Sequence, residues 1–379
     1  MTQSTLFSPV ALRGLQPRNR LVVSPMCQYS AVNGFANDWH FAHLARFALG
    51  GFGIVMVEAT AVTETGRITH GDLGLWNDAQ IAPLARIAKF LRDNGAVPAI
   101  QLGHSGRRAA SQRPWEGDGP LTEADAQAGG DASWPVVAAS AMAHRPNYQV
   151  PLALDEASLE AIRQDWRSAT QRALQAGFDI VEVHAAQGFL LNSFLSPLAN
   201  LRDDRYGGDF EGRIRFPLEV IAIVREVWPQ DKPVFVRVSA TDWVEGGWTG
   251  DDTVEFAKRL RELGVDVVDC SSGGIGYPTP PLAPGYQTRY AARVHRESGI
   301  NSMAVGLISE PVAAQALVAD GHADLIALGR EALHNPQWPL HAQRALGADP
   351  LGYELWPIQA GHWLRNRERA RQAMKYNKE

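Results

Sequence analysis

Polar side chains stand at the ends of four short apolar segments of this chain. They are the imidazole of His184, the amide of Gln101, the thiol of Cys27 and the guanidinium of Arg237. If the segments are strands, side chains alternate along them with a period of two, and His184 shares a face with Glu182. Such groups can bind a polar ligand, stabilise developing negative charge and exchange protons. One of them alone is usually structural, but four at one rim indicate a binding site.

The last two apolar segments continue into glycine turns, AVGLIS and ALGREA. In a (β/α)₈ barrel the loops after the last two strands frequently bind phosphate through backbone N–H groups. Gly306 and Gly329 allow a ligand to approach the backbone closely, and Arg330 can add a charge-assisted pair. Tight turns alone would explain these glycines equally well. The prediction of a phosphorylated ligand therefore depends on the polar rim as well.

The ligand that best suits this set is flavin mononucleotide, FMN. Its pyrimidine edge needs amide partners, which Gln101 offers, and its phosphate matches the glycine turns. Positive charge near N1, available from Arg237, stabilises the reduced flavin. The tight segment SPMC, residues 24–27, would close the other edge of the ring.

Eight apolar segments alternate with amphipathic helical patterns, several of which end in glycine. We predict strands at 20–26, 53–59, 97–103, 179–184, 233–239, 265–271, 302–307 and 324–329. Eight β-then-α units predict an α/β fold, a single (β/α)₈ TIM barrel over residues 1–379. The alternative is an open doubly wound sheet, which in its dinucleotide-binding form carries G-x-G-x-x-G after the first strand. Here SPMCQYS follows that strand, so the barrel is favoured.

Two regions exceed the roughly 250 residues that a barrel needs. Residues 104–140 are rich in Gly, Pro and Ala and follow the third strand, which predicts a long lid-like loop and a capping region at 104–150. Residues 351–379 form an aromatic and basic C-terminal tail.

Composition excludes several classes of protein. The chain has 379 residues, 45% of them hydrophobic, and a formal net charge of −5, without a basic stripe for nucleic acid. No apolar run approaches the roughly 18 residues of a membrane span, and the N-terminus lacks the pattern of a signal peptide. Two cysteines, Cys27 and Cys270, are typical of a reducing compartment. We expect a cytoplasmic enzyme that acts on a small molecule.

Several motifs together resemble the old yellow enzyme family of FMN-dependent ene-reductases, which are (β/α)₈ barrels. The matching stretches are RNRLVVSPMCQYS, VEATAV, QLGHSGRRA, NLRDDRYGGDFEGRIRF, FVRVSA and LGRE. SPMCQY and RPWEGD are most similar to the xenobiotic-reductase and thermophilic-like branch. The resemblance covers nearly the whole chain, from about residue 6 to about residue 365.

The resemblance implies a role for each matching residue. The flavin ring would be lined, and its phosphate held, by Ser24, Pro25, Met26, Cys27, Ala59, Gln101, His184, Arg237, Gly306, Gly329 and Arg330. The catalytic residues would be His184, Gln187, Tyr29 and Cys27, and Tyr29 would reach the substrate together with Phe189 and Arg108. NADPH or NADH would reduce the flavin, which would then reduce an alkene conjugated to a carbonyl, with nitro compounds and quinones as further acceptors.

The chain departs from the family pattern beside His184. The usual donor pair is H-x-x-H or H-x-x-N with a tyrosine two residues later, whereas this chain has His184-Ala-Ala-Gln187-Gly-Phe189. Gln187 can still donate from its NH₂ group, but Phe189 has no proton to give. Tyr29 or solvent would then supply the proton. Arg108 stands where the branch often has Lys.

The tail and two histidines complete the prediction. His362 and Trp363 fall where the branch sends a side chain into a neighbouring subunit's site, which implies a homodimer or homotetramer. His40 and His43, three residues apart on the first helix, could bind a metal, but no third ligand is apparent and we expect no metal site there.

The alternatives to alkene reduction are another FMN reaction, dehydrogenation or N-dealkylation, and a flavin-binding barrel without turnover.

Overall fold

The computed structural model describes residues 5–128, 131–276, 278, 280–349 and 352–376. Its strands are β1 (Leu21–Val23), β2 (Ile54–Ala61), β3 (Val97–Gly103), β4 (Val137–Ala138), β5 (Leu152–Ala153), β6 (Ile180–Ala185), β7 (Val234–Ser239), β8 (Val267–Ser271), β9 (Asn301–Ala304) and β10 (Leu325–Leu328). Eight of them form a closed parallel barrel in the order β1-β10-β9-β8-β7-β6-β3-β2. The predicted (β/α)₈ barrel is confirmed. The open sheet was the wrong alternative, because β1 pairs with both β2 and β10.

Helices lie between successive barrel strands, with further helices in the segment after β3 and in the C-terminal tail. They are α1 (Asp38–Leu49), α2 (Ile81–Asp93), α3 (Glu123–Gln127), α4 (Glu156–Gln175), α5 (Leu190–Leu195), α6 (Phe210–Val227), α7 (Gly250–Glu262), α8 (Thr288–Ser298), α9 (Pro311–Ala319), α10 (Arg330–His334), α11 (Trp338–Ala345) and α12 (Ile358–Tyr376). The sequence did not predict α8. Its buried face is only a narrow stripe, Tyr290, Ala291, Val294 and Ser298, in an otherwise polar segment.

The barrel interior is apolar at its lower layers and polar at the carboxyl ends of the strands. The apolar part is one cluster, made mainly by Val22, Ile54, Met56, Ala99, Ile180, Phe235, Val267, Met303, Leu325 and Ala327. Each fully buried large side chain of this kind contributes about 1.5–3 kcal/mol. Because parallel strands are in register, the polar residues that follow the apolar layers emerge together at one rim.

The segment after β3 is only partly regular. It contains the short helix α3 and the strand β4, which pairs in parallel with β5 as a two-stranded sheet. Its start is tied to the barrel rim, since Ser105 N–H donates to Gly66 O at 2.8 Å and Leu190 N–H donates to His104 O at 3.0 Å. In the described part of the chain no helix is long and apolar enough to cross a membrane.

Phe235 has no exposed surface and lies in the apolar cluster, so the Phe235→Ala variant should lose about 3–5 kcal/mol of unfolding free energy. Urea denaturation followed by circular dichroism measures the loss. Val312→Ala, at a position that is 71% exposed, is the control and should change stability by less than about 0.5 kcal/mol. Equal effects of the two changes would contradict the assignment of Phe235 to the core.

Candidate active site

A cavity of about 570 Å³ opens at the carboxyl ends of the barrel strands. Its size falls in the range of small-molecule and cofactor sites. Eight of the residues predicted from the sequence line it: Ser24, Pro25, Met26, Gln187, Arg237, Gly306, Gly329 and Arg330. The structure thus brings together the β1 end, the β7 rim and the two glycine turns.

The other predicted residues do not line this cavity. Gln101 and His184 are 2% and 4% exposed inside the rim, and Ala59 is also buried. Tyr29 and Arg108 line a small neighbouring polar cavity. Trp363 is elsewhere: it is 70% exposed on α12 and lines a separate groove of the tail.

Arg237 is held at the rim by an ion pair with Asp269. The Nη1 of Arg237 lies 2.9 Å from Asp269 Oδ2 and donates to Ser24 Oγ at 3.0 Å. Asp269 is fully buried on β8, next to Arg237 in the strand register. The Nε of Arg237 has no hydrogen-bond partner among the described residues, so it has an N–H available for a ligand.

Gln101 is fixed by a second buried carboxyl group. Its Nε2 donates to Glu182 Oε1 at 2.8 Å, and Glu182 has no exposed surface. Burial, and then the nearby Asp269, raise the pKa of Glu182 well above its usual range, against the opposing effect of Arg237. Burial therefore favours the protonated form of Glu182, whose Oε1 accepts from Gln101.

His184 is a neutral imidazole with a defined tautomer. Burial, followed by the charges of Arg237 and Arg108, lowers the pKa of His184 well below its usual value. The Ala186 N–H donates to Nδ1 at 3.3 Å, so Nδ1 is unprotonated and the proton is on Nε2. His184 can therefore donate one hydrogen bond from Nε2 without carrying a charge.

The turn after β6 presents Gln187 to the cavity. Gln187 and Gly188 have φ of +54° and +76°, and the backbone of Gly274 packs so closely that a Cβ there would lie 2.2 Å from Gln187 C. Three hydrogen bonds hold Gln187: its N–H donates to Ser239 Oγ at 2.9 Å, its Nε2 donates to Ser271 Oγ at 2.7 Å, and its carbonyl accepts from Arg108 at 2.6 Å. One N–H of its amide is thus engaged and the other is available.

Phe189 packs against both a histidine and a cation. Its ring centroid is 4.4 Å from that of His184, and the guanidinium of Arg108 lies 5.2 Å from the same centroid. Phe189 is 5% exposed. The position therefore adds an apolar wall beside His184, with no proton donor.

The groups on the β1 side keep their protons. Burial, then Asp72 and Glu58, raise the pKa of the Cys27 thiol. Burial, then Cys27 and Asp72, raise the pKa of Tyr29, whose ring contacts Trp115 edge-on. Both are neutral at pH 7, and Tyr29 keeps its hydroxyl proton at the small polar cavity that it lines.

The opposite end of the cavity is suited to a phosphate. Arg330 lines it and has no hydrogen bond or ion pair within the described ranges. Gly306 has φ of +122°, and a Cβ there would lie 2.7 Å from Gln287 Nε2. Gln287 is itself fixed, because its Oε1 accepts from Ser272 Oγ at 2.6 Å. An unpaired cation beside a side-chain-free backbone forms a cradle for an anionic group.

The two histidines of α1 have other partners. His40 Nδ1 accepts from the N–H of Asn37 as part of the helix cap, and His43 Nδ1 contacts Arg46. Among the described residues no group of three or more His, Cys, Asp or Glu is placed to hold a metal.

Sequence reasoning missed Asp269, Ser271 and Gln287. The period of two in VDVVDCS places Asp269 and Ser271 on one face of β8, so this signal was present in the sequence. Only the pairing of β7 with β8 shows that Asp269 faces Arg237. Gln287 follows a loop, and no sequence pattern connects it to the site.

Comparison with known proteins identifies the family. The model of the NADH:flavin oxidoreductase / NADH oxidase family matches residues 5–349. The chain belongs to this family. An NADPH dehydrogenase of Geobacillus thermodenitrificans is 42% identical over 356 residues, which are 93% of this chain and 98% of that protein. The resemblance to the old yellow enzyme family is confirmed, and the chain is an FMN-dependent NAD(P)H oxidoreductase.

Solved structures agree with this placement. Morphinone reductase in complex with tetrahydroNAD is 27% identical with a TM-score of 0.71, covering 90% of this chain and 91% of that one. A 2-naphthoyl-CoA reductase has a TM-score of 0.80 at 24% identity and shows the same fold. This chain spans about half the length of that reductase, 52%.

The residues of the cavity fit FMN, the cofactor of this family. Arg330 and the Gly306 turn offer a phosphate cradle at one end, and the other end offers the free Nε of Arg237. A ring system with a polar edge and a phosphate tail matches this arrangement.

The His184 imidazole should remain neutral on acidification. An ordinary histidine with a pKa of about 6.5 gains a proton as pH falls from 8 to 5.5, whereas the lowered pKa of His184 prevents this. Nitrogen NMR of histidine-labelled enzyme should show the Nε2–H tautomer throughout, with the signal assigned by its loss in His184→Asn. Titration of that signal near pH 6.5 would contradict the assignment.

Proposed function

We propose that this oxidoreductase reduces carbon–carbon double bonds conjugated to a carbonyl group, with nitro compounds or quinones as further acceptors. The observation that carries the proposal is the neutral His184, with its Nε2–H fixed beside Gln187, which lines the cavity. Two neutral donors suit a carbonyl oxygen on which negative charge develops. Bound FMN would supply the hydride that it receives from NAD(P)H.

The other steps of the proposed alkene reduction are assigned to residues of this chain. His184 Nε2 and the free N–H of Gln187 would bind and orient the carbonyl oxygen. Phe189 and the ring of Tyr29 would exclude water from the apolar part of the substrate. Tyr29 would deliver the proton to the α-carbon, because its hydroxyl stays protonated and Phe189 has none to give. Arg237 would support the negative charge that reduction places on the bound cofactor.

We further propose that residues 104–150 cap the site. Arg108 supports this, since its bond to the Gln187 carbonyl joins the capping segment to the turn beside His184. Tyr148, in the same segment, donates to Asp118 O at 3.0 Å and stabilises it internally. Opening of the cap would expose the substrate side of the cavity.

We propose a homodimer or homotetramer built through the tail. Ile358 and Trp363 of α12 are 75% and 70% exposed, and Trp356 lines a groove of about 780 Å³ between α11 and α12. A partner subunit covering this surface would bury apolar side chains. The free thiols of Cys27 and Cys270 support a cytoplasmic location.

Anaerobic stopped-flow absorbance tests the alkene reaction. NADPH or NADH should bleach the flavin, and 2-cyclohexenone should restore its colour. His184→Ala should slow the second step about 10²-fold or more, because one donor to the carbonyl is lost. His322→Ala, a change at an exposed histidine, should leave both steps unchanged. Bleaching without reoxidation by any activated alkene would refute the proposal, and bleaching by an amine would favour dehydrogenation.

The source of the proton is tested at Tyr29 and Phe189. Tyr29→Phe should slow reoxidation by cyclohexenone about 10²-fold, and Phe189→Tyr should raise it about tenfold by placing a hydroxyl near His184. Bleaching by NADPH should change little in both variants. Tyr290→Phe removes a hydroxyl that accepts from Arg289 on α8, outside the cap, and is the control. If Tyr29→Phe left reoxidation unchanged, solvent would be the donor.

A further inference from the structure

Two carboxyl groups inside the barrel have no part in the proposed alkene chemistry. Glu182 on β6 and Asp269 on β8 have no exposed surface, and Arg237 lies on β7 between them. Removing a carboxylate from water costs several kcal/mol unless it is paired. Each group is the direct cross-strand neighbour of a residue predicted to contact the flavin, Glu182 of Gln101 and Asp269 of Arg237.

Asp269 compensates the charge of Arg237. Its Oδ2 is 2.9 Å from Arg237 Nη1, and the two residues are direct neighbours in the pairing of β7 with β8. Burial raises the pKa of Asp269, but the ion pair and hydrogen bond with Arg237 oppose this. The carboxylate is therefore the counter-ion of the one cation that lines this end of the cavity within the described residues.

Arg330 provides a comparison within the same cavity. It lines the cavity as Arg237 does, but it has no carboxylate within 4 Å in the described part of the chain. A phosphate can compensate Arg330 once the cofactor binds. Arg237, in contrast, is already compensated by the protein. The charge that the cofactor meets at the β7 end is thus much smaller than one guanidinium would give.

Glu182 acts on Gln101 by geometry and not by charge. Its Oε1 accepts from Gln101 Nε2 at 2.8 Å across the pairing of β3 with β6. This bond fixes the rotamer of Gln101 and determines which end of its amide is free. Burial raises the pKa of Glu182 and so favours its protonated form, in which it is an acceptor for Gln101 without a second negative charge.

We propose that Asp269 and Glu182 are positioning residues for the cofactor: Asp269 lowers the reduction potential of bound FMN by compensating Arg237, and Glu182 orients Gln101. The proposal rests on FMN occupying this cavity, but not on the identity of the substrate. Its physical basis is that positive charge near the N1 region favours reduced flavin. In a buried site the loss of a counter-ion at close range has a large effect on that preference.

The test compares FMN bound to wild type with FMN bound to Asp269→Asn, an isosteric change that removes the negative charge. The midpoint potential is measured anaerobically by equilibration with a reference dye, with dithionite as reductant and no alkene present. We expect the ratio of dissociation constants, oxidised FMN over reduced FMN, to rise at least about tenfold. For a two-electron couple this is a positive shift of about 30 mV.

Three further variants test whether the charge of Asp269 causes the shift and whether Glu182 acts as an acceptor. Asp251→Asn removes a carboxylate that also pairs with an arginine, Arg293 at 2.7 Å, but on the surface of α7, and it should not change the potential. Glu182→Gln keeps a carbonyl acceptor for Gln101 and removes no charge, so it should also leave the potential unchanged. Glu182→Leu removes the acceptor and should weaken FMN binding, measured by fluorescence quenching, about threefold to tenfold.

Three results would overturn the proposal. They are an unchanged potential in Asp269→Asn, an equal shift in Asp251→Asn, and a shift in Glu182→Gln as large as that in Asp269→Asn. If Asp269→Asn does not fold, the smaller neutral variant Asp269→Ala is measured in the same way. It should again favour reduced FMN at least about tenfold more than wild type, and an unchanged ratio would refute the role of Asp269. Failure of the enzyme to reduce alkenes would leave these potentials unaffected, so the two hypotheses fail separately.

Discussion

Closure of the sheet is the constraint on which the site depends. β1 forms hydrogen bonds with β2 on one side and with β10 on the other, so every barrel strand has two neighbours and all run in the same direction. The carboxyl ends of strands far apart in the sequence therefore share one rim. Arg237 reaches Ser24 across 213 positions of sequence only because the barrel is closed.

Burial then determines the charge state of the groups at that rim. The low polarity of the interior favours the neutral forms of His184, Glu182, Cys27 and Tyr29. Arg237 is paired with Asp269. The site consequently offers neutral donors on the substrate side and one compensated cation on the cofactor side. This division follows from depth in the barrel and from pairing across strands.

Much of the fold could be predicted from the sequence, because apolar segments of strand length alternate with helical patterns. β3 was predicted with its observed bounds, 97–103, whereas the first strand was predicted too long, since Ser24–Tyr29 leaves the sheet to form the rim. The candidate site could be assembled only in part. The strand-end positions of His184 and Arg237 followed from local periodicity. The pairing of Arg237 with Asp269 did not, because it depends on the register between two strands. The bond from Gln187 to Ser271 likewise joins residues 84 positions apart.

The turn at Gln187 and Gly188 separates two proposed properties of the enzyme, binding of the carbonyl group and supply of the proton. Its backbone is anchored by hydrogen bonds with Ser239, with Arg108 and, through Gly188, with Asn192, and none of these bonds involves the side chain at position 189. Of the three, Arg108 also packs on the Phe189 ring. His184 is fixed by the strand before the turn and by its bond from Ala186. Position 189 is therefore free to vary in chemistry while the carbonyl anchor remains in place. Evolution or protein engineering could therefore change the proton donor and the shape of the pocket at this one residue. The residues that bind the carbonyl group would stay the same.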